Sequence, residues 1–245
     1  MKNITWLTVL LFLFSCKKDK NTDCRFIQTD SFLNGIRQTA TNYFFDDKGR
    51  VTMRIIHQAT GKDTAAYRYT ADSVVIDYGN IYSVYYLNSS GLATHSYTSM
   101  DYNPNSIRDD QTYTYDANGY LVSQRVIFSQ LYLGTIVKDT QYYYFEIAGG
   151  NVVRTYGSNV LDQYYQYNNE PSDSRIPDMH YFPSVIGPFL GKSPVNLVAG
   201  VGNAPGSASI TYTYKKDKDG RLAEKEFTVA GSTDRRKDTY IYDCD

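Results

Sequence analysis

The chain has 245 residues, a formal net charge of −1 and a pI near 6.3, so it lacks the basic footprint of a nucleic-acid binder. With 42% hydrophobic and 21% charged residues it is neither a disordered acidic tail nor a polytopic membrane protein. Three cysteines exclude a disulfide-dense scaffold, three histidines leave little for metal or acid–base chemistry, and 25 tyrosines are the compositional outlier.

The N-terminus reads as an address. Met1-Lys2-Asn3 carries one positive charge, and the eleven residues Ile4 to Phe14 are apolar except for Thr5 and Thr8. That run has the length of a signal-peptide core and is too short to cross about 30 Å of hydrocarbon. Leu13-Phe14-Ser15-Cys16 then resembles the lipobox of bacterial lipoproteins, in which the cysteine is acylated and becomes the first residue. The resemblance implies a signal peptide over 1–15, lipidation at Cys16, and a flexible tether over 16–23. Two or more acyl chains hold stably in a bilayer, since each buried methylene contributes about 0.8 kcal/mol. Lys17, Lys18 and Asp19 partly resemble the surface-export signal of Bacteroidota lipoproteins. The expected location is the outer membrane, at the cell surface in preference to the periplasmic face. An ordinary signal peptide with an incidental Cys16 is the alternative.

Cys24 and Cys244 remain, one at each end of the mature chain. An exported chain meets an oxidising compartment, so a Cys24–Cys244 disulfide is the expected pairing, with two free thiols as the alternative. It requires the first and last strands to be neighbours.

A phrase recurs between these cysteines: aromatic, any residue, aromatic, a turn residue, two more, glycine, then β-formers. Tyr43 to Val51, Tyr85 to Leu92 and Tyr113 to Leu121 are copies. Tyr67 to Val75 has Ser73 where glycine is expected, Tyr143 to Val152 is looser, and Tyr240-Ile241-Tyr242-Asp243 begins one more. Tyr212 to Leu222 reads as a copy with a longer turn. Residues two apart share a face of a strand, Asp or Asn folds back on its own backbone, and glycine supplies the positive φ. Each copy therefore predicts a β-hairpin. The fold expected is all-β: one antiparallel meander of about fifteen strands over 24–245, strongly twisted or rolled toward a barrel.

Residues 168–208 break the pattern, holding six of the seven prolines and five glycines. Prolines at this density exclude a regular helix or a central strand. The apolar residues among them, including Phe189, Leu190, Val195, Leu197 and Val198, predict an irregular excursion that packs over the sheet or plugs its concave side. A domain boundary is the weaker reading.

The hairpins are similar to the Tyr-Asp repeats of Rhs-type surface proteins. More closely, Cys16, the aromatic-x-aromatic-Asp-x-x-Gly hairpins and the segment Phe189 to Leu197 resemble the Bacteroidota lipoproteins grouped as domain of unknown function 4595, which implies a porin-like β fold. That family offers no catalytic residues to transfer.

The chemical motifs are weak beside this framework. Gly187-Pro188-Phe189-Leu190-Gly191-Lys192-Ser193 looks like a phosphate loop but lacks its spacing and its strand-to-helix context. Asp217-Lys218-Asp219-Gly220 reads as a hairpin turn, because calcium needs about six to eight oxygens. His57, His95 and His180 lack ligand spacing, no G-x-S-x-G elbow exists, and glutamates number only four. No cofactor, metal or catalytic residue is expected. Tyrosine also offers rigid amphipathic contact area. In Tyr142-Tyr143-Tyr144 and Tyr164-Tyr165 adjacent rings must point to opposite faces, so Tyr142, Tyr144 and Tyr164 are the candidate binding surface. Thr64 and Ser73 lie in sequences that resemble the Bacteroidota O-glycosylation sequon. Three functions follow: a non-catalytic envelope protein binding a glycan or partner protein through a Tyr-rich face, a carrier of a lipid or small hydrophobe with 181–201 as its plug or lid, and a hydrolase on a β scaffold.

Overall fold

The computed structural model describes residues 24–100, 108–173 and 187–244. Cys16, the signal peptide, the tether and His180 lie outside these residues. Sixteen strands make one closed barrel: β1 (Cys24–Leu33), β2 (Ile36–Phe45), β3 (Val51–Gln58), β4 (Gly61–Tyr69), β5 (Ser73–Asp77), β6 (Ile81–Leu87), β7 (Ala93–Met100), β8 (Arg108–Tyr115), β9 (Leu121–Tyr132), β10 (Thr135–Ala148), β11 (Asn151–Gly157), β12 (Val160–Pro171), β13 (Asn196–Gly202), β14 (Ile210–Lys216), β15 (Leu222–Val229) and β16 (Arg236–Cys244). Each pairs antiparallel with the next, and β16 closes on β1 in the register Cys24↔Cys244. The disulfide joins that pair, with Cα atoms 4.1 Å apart. The guanidinium of Arg221 donates to both sulfurs.

Sixteen strands agree with the expected meander of about fifteen rolled toward a barrel, and one of them, β13, lies inside the proline-rich stretch. No proline falls between Pro194 and Pro205, so this window can donate to a ladder on both sides. The exclusion of a central strand there was too broad.

The recurring phrase builds one turn four times. In Asp46–Gly49, Asn88–Gly91, Asp116–Gly119 and Asp217–Gly220 the glycine N–H donates to the carbonyl of the first residue at 2.9–3.1 Å. The Oδ1 of that first residue accepts the N–H groups two and four residues on, at 2.9–3.1 Å. The four glycines have φ between 74° and 87°, a region that costs a side-chain-bearing residue about 1 kcal/mol or more. The bond from the Arg50 N–H holds the Asp46 carboxyl below its ordinary pKa. The last turn corrects the expected longer one: Asp217 to Gly220 is the common length, and the two extra residues extend β14 instead.

Tyrosine has a further task in this repeat. The register slips beside the turns, between Phe44 and Phe45, Thr114 and Tyr115, and Lys215 and Lys216. Such bulges free a carbonyl near the start of the return strand. Tyrosine hydroxyls donate to carbonyls there: Tyr69 to Val51 at 3.0 Å, Tyr115 to Ala93 at 2.8 Å, Tyr167 to Val152 at 2.9 Å, and Tyr242 to Leu222 at 2.9 Å. Tyr214 does the same to Val198 at 2.6 Å. Buried carbonyls need a partner, and the second aromatic of the phrase supplies it.

The interior is packed at the end carrying these turns. Because strands alternate, the turns after the even-numbered strands, the outer ends of β1 and β16, and residues 187–195 ahead of β13 share that end. This connection forms a 3-10 turn, Pro188–Leu190, whose Phe189 and Leu190 are buried against Tyr67, Ile76, Tyr85, Leu121 and Val152. Lys192 N–H bonds the Gly119 carbonyl at 3.0 Å and Val195 N–H that of Gly150 at 3.2 Å. The phosphate-loop lookalike is therefore a plug. At the seam, Phe26 packs on Tyr43, Tyr240 and Tyr242. Lys225 and Asp238 form a buried pair at 3.1 Å, with Ser31 donating to Asp238 at 2.7 Å.

Burial raises the pKa of the interior tyrosines. Tyr67 and Tyr69 are pushed to about 12, and Tyr43, Tyr85, Tyr113 and Tyr115 also move up. An acid whose folded pKa is raised stabilises the fold fully below its unfolded value, near 10, and loses that contribution as pH climbs through the folded value. Stability is expected to hold up to pH ~10 and fall steeply toward 12. An absorbance titration at ~295 nm should show exposed tyrosines ionising first and a second group ionising only as the β circular dichroism collapses. A single step with the dichroism intact would contradict this packing.

Candidate binding surface

The face of β10 to β12 is set by alternation. Tyr143, Phe145 and Ile147 of β10 point inward, so Tyr142, Tyr144 and Glu146 point out. Register then places Tyr156 beside Tyr144, Arg154 beside Glu146, and Tyr164 beside Arg154. The three tyrosines read from the sequence thus share one outer wall. Tyr142 is 40% exposed and Tyr144 38%. Their rings lie parallel within 9° at 6.5 Å, and Tyr144 stacks on Tyr156 at 5.2 Å.

Arg154 organises the row. Its guanidinium lies 4.5 Å from the centre of the Tyr156 ring and 5.4 Å from that of Tyr164. It also bonds Glu146 at 3.1 Å and Asp162 at 2.6 Å. Two carboxylates and two ring faces hold it, which fixes the rings with little loss of exposed area. Gly157 completes the support: a Cβ there would strike the Tyr142 carbonyl. Close approach lets Ser158 N–H bond that carbonyl at 3.0 Å and the Ser158 hydroxyl accept the Tyr142 N–H at 2.8 Å. Arg154 and Tyr156 were missed in the sequence because they stand outside the tyrosine runs. Their spacing of two residues on a strand was the available signal.

The other candidates are scattered. His95 faces out on β7 with its Nε2 3.8 Å from Asp110, while His57 sits across from Lys62 near the far end of β3. Thr64 is exposed on β4, and the Ser73 hydroxyl shares a 2.8 Å bond with Thr70.

Elsewhere the outer wall mixes charge with further rings, among them Tyr82, Tyr86 and Tyr97 of β6 and β7. Outward ion pairs join Arg68 to Asp77 at 3.4 Å, Lys215 to Glu224 at 2.8 Å and Lys237 to Glu224 at 3.6 Å. A membrane-spanning barrel presents an apolar band about 25 Å tall outward and a polar lumen inward. Here ion pairs stand on the outer wall, and the packed end of the lumen is mainly aliphatic and aromatic, with the buried Lys225–Asp238 pair at the seam.

With sixteen antiparallel strands closed edge to edge, comparison with solved structures is decisive for the fold. The chain shares it with porin-like proteins. One, from Bacteroides uniformis ATCC 8492, superposes with a TM-score of 0.68 at 19% identity over 89% of this chain and 97% of that one. Another, from Bacteroides vulgatus ATCC 8482, gives 0.58 at 12% identity over 90% and 99%. No family profile and no curated protein matches the sequence. The porin-like β fold implied by the resemblance to domain of unknown function 4595 is thus what these structures share.

Proposed function

We propose that the chain is a lipid-anchored, non-catalytic protein of the cell envelope that binds a glycan or a partner protein through the outer wall of β10 to β12. The observation that carries this reading is the outward row Tyr142–Tyr144–Tyr156–Tyr164, its first two rings exposed and its last two half-buried under the Arg154 guanidinium. Rigid rings present large contact area at low entropic cost, and stacking on sugar or peptide faces uses such rows. The ion pairs on the outer wall support a barrel that stands in water beside the membrane. β1 begins at the plugged end, and a tether of eight residues could span about 25–30 Å, which would leave the side wall accessible above the lipid.

The full chain, purified in detergent, is the reagent for a glycan array and for capture from envelope extracts. Tyr142→Ala with Tyr144→Ala should weaken binding about tenfold or more while the β circular dichroism is unchanged. Blank results from the unaltered chain in both assays would overturn the binding surface. Cys16→Ser should release the protein from the membrane fraction and abolish incorporation of labelled fatty acid. Persistence in the membrane would overturn the anchor.

A further inference from the structure

The plug fills one end of the barrel, and a second feature sits at the other. Beyond Tyr143, β9 and β10 run on as a long hairpin, and the side chains of its inner face line a cavity of about 340 Å³: Phe128, Gln130, Val137, Asp139 and Gln141. Their orientation follows from register, since Gln141 stands opposite the buried Val126.

Register also places Asp109 of β8 and Asp139 of β10 on either side of Phe128. Neighbouring strands lie about 4.8 Å apart, so one aromatic ring is bracketed by two carboxylates about 10 Å apart at the backbone. Below this row the polar groups satisfy one another. Gln111 Oε1 accepts from Gln124 at 2.7 Å and from the Tyr113 hydroxyl at 2.8 Å, and Gln141 Oε1 accepts from Tyr143 at 2.8 Å. The Thr98 hydroxyl, beside Asp109, is engaged with Ser83 at 2.8 Å. Asp109 Oδ1 is the exception: it is shut off from water and has no hydrogen-bond partner among the described residues. Arg125 of β9 and Lys138 of β10 fall on the outer face by the same alternation. The mouth is therefore locally anionic, with an aromatic floor and an acceptor left over.

We infer that this mouth binds a small organic ammonium cation, its charge over the Phe128 ring and its N–H or N-methyl groups directed at Asp109 and Asp139. Burial and the neighbouring Asp110 both raise the Asp109 pKa, which an incoming cation would offset. An aromatic face with flanking carboxylates is the chemistry that recognises ammonium groups. A lipid tail would instead have to shut Gln130 and the Asp139 carboxylate, which accepts one bond from Gln141 at 3.3 Å, away from water. Calcium fits poorly, because no group of three or more acidic, histidine or cysteine side chains among the described residues could hold it.

The test is calorimetric titration of the full chain with four probes: choline, putrescine, glucose and calcium chloride. Choline and putrescine should bind saturably and compete with each other. Asp139→Asn and Phe128→Leu should each weaken them about tenfold. Asp139 is exposed, so its variant keeps the fold even if Asp109→Asn does not. Tyr142→Ala with Tyr144→Ala should leave this binding unchanged, which separates the mouth from the outer wall. No ammonium binding, ammonium binding indifferent to both variants, or glucose or calcium binding lost in those variants would each overturn the inference.

Discussion

Replacing Cys24 and Cys244 with serine should lower the stability of the barrel by up to about 5 kcal/mol, and reduction should do the same. The bridge closes a loop with a sequence separation of 220, so its effect on the entropy of the unfolded chain is near the top of the range for disulfides. It also acts locally. The β1–β16 ladder is the seam where the two chain ends meet, and the disulfide sits at its end, beside Arg221 and Phe26. Without it the ladder can fray from Cys24 inward and expose two strand edges, which invites edge-to-edge association. Urea melts of the oxidised and serine-substituted chains give the stability difference. Hydrogen exchange should show the loss of protection concentrated in β1 and β16. Equal midpoints with unchanged exchange at the seam would show that the ladder holds unaided.

A comparable effect is expected at the plug. Leu190 is fully buried and Phe189 nearly so, and their cluster draws on strands from β4 to β11. Truncating either to alanine removes buried surface and leaves a cavity that strands pinned on both sides cannot collapse. The cost is about 3–5 kcal/mol for Phe189→Ala and about 2–5 kcal/mol for Leu190→Ala. The two touch the same neighbours, so the double variant should depart from additivity. Val195→Ala, at a side chain 45% exposed, should change stability by less than about 1 kcal/mol. A Leu190→Ala midpoint as close to the parent as that of Val195→Ala would mean that the lumen is held together by the wall alone.

These features differ in how readable they were. The hairpins were legible because every signal in them is local: aromatic side chains two apart, an Asx residue, and glycine three residues on. The disulfide was legible because only two cysteines were left to pair. Closure was partly legible, since Cys24 and Cys244 demanded neighbouring end strands, but the number of strands depended on β13. Proline content masked that strand because density was weighed over the whole stretch instead of over the interval between Pro194 and Pro205. The outer tyrosines were found by parity within a run. Arg154, Tyr156 and the Asp109–Phe128–Asp139 row were not, because each meets its neighbours only through cross-strand register. The tyrosine-to-carbonyl bonds were hidden for a related reason: the bulges that free those carbonyls arise from the turn and have no residue signature of their own.

The seam also sets a clock. With a sequence separation of 220 between its cysteines, β1 leaves the ribosome roughly 10–40 s ahead of its partner at about 5–20 residues per second. A sheet that grows hairpin by hairpin from the N-terminus carries one bare margin throughout that interval. The last strand to arrive must satisfy β15 and β1 at once, so barrel closure should be the slow and aggregation-sensitive event in folding.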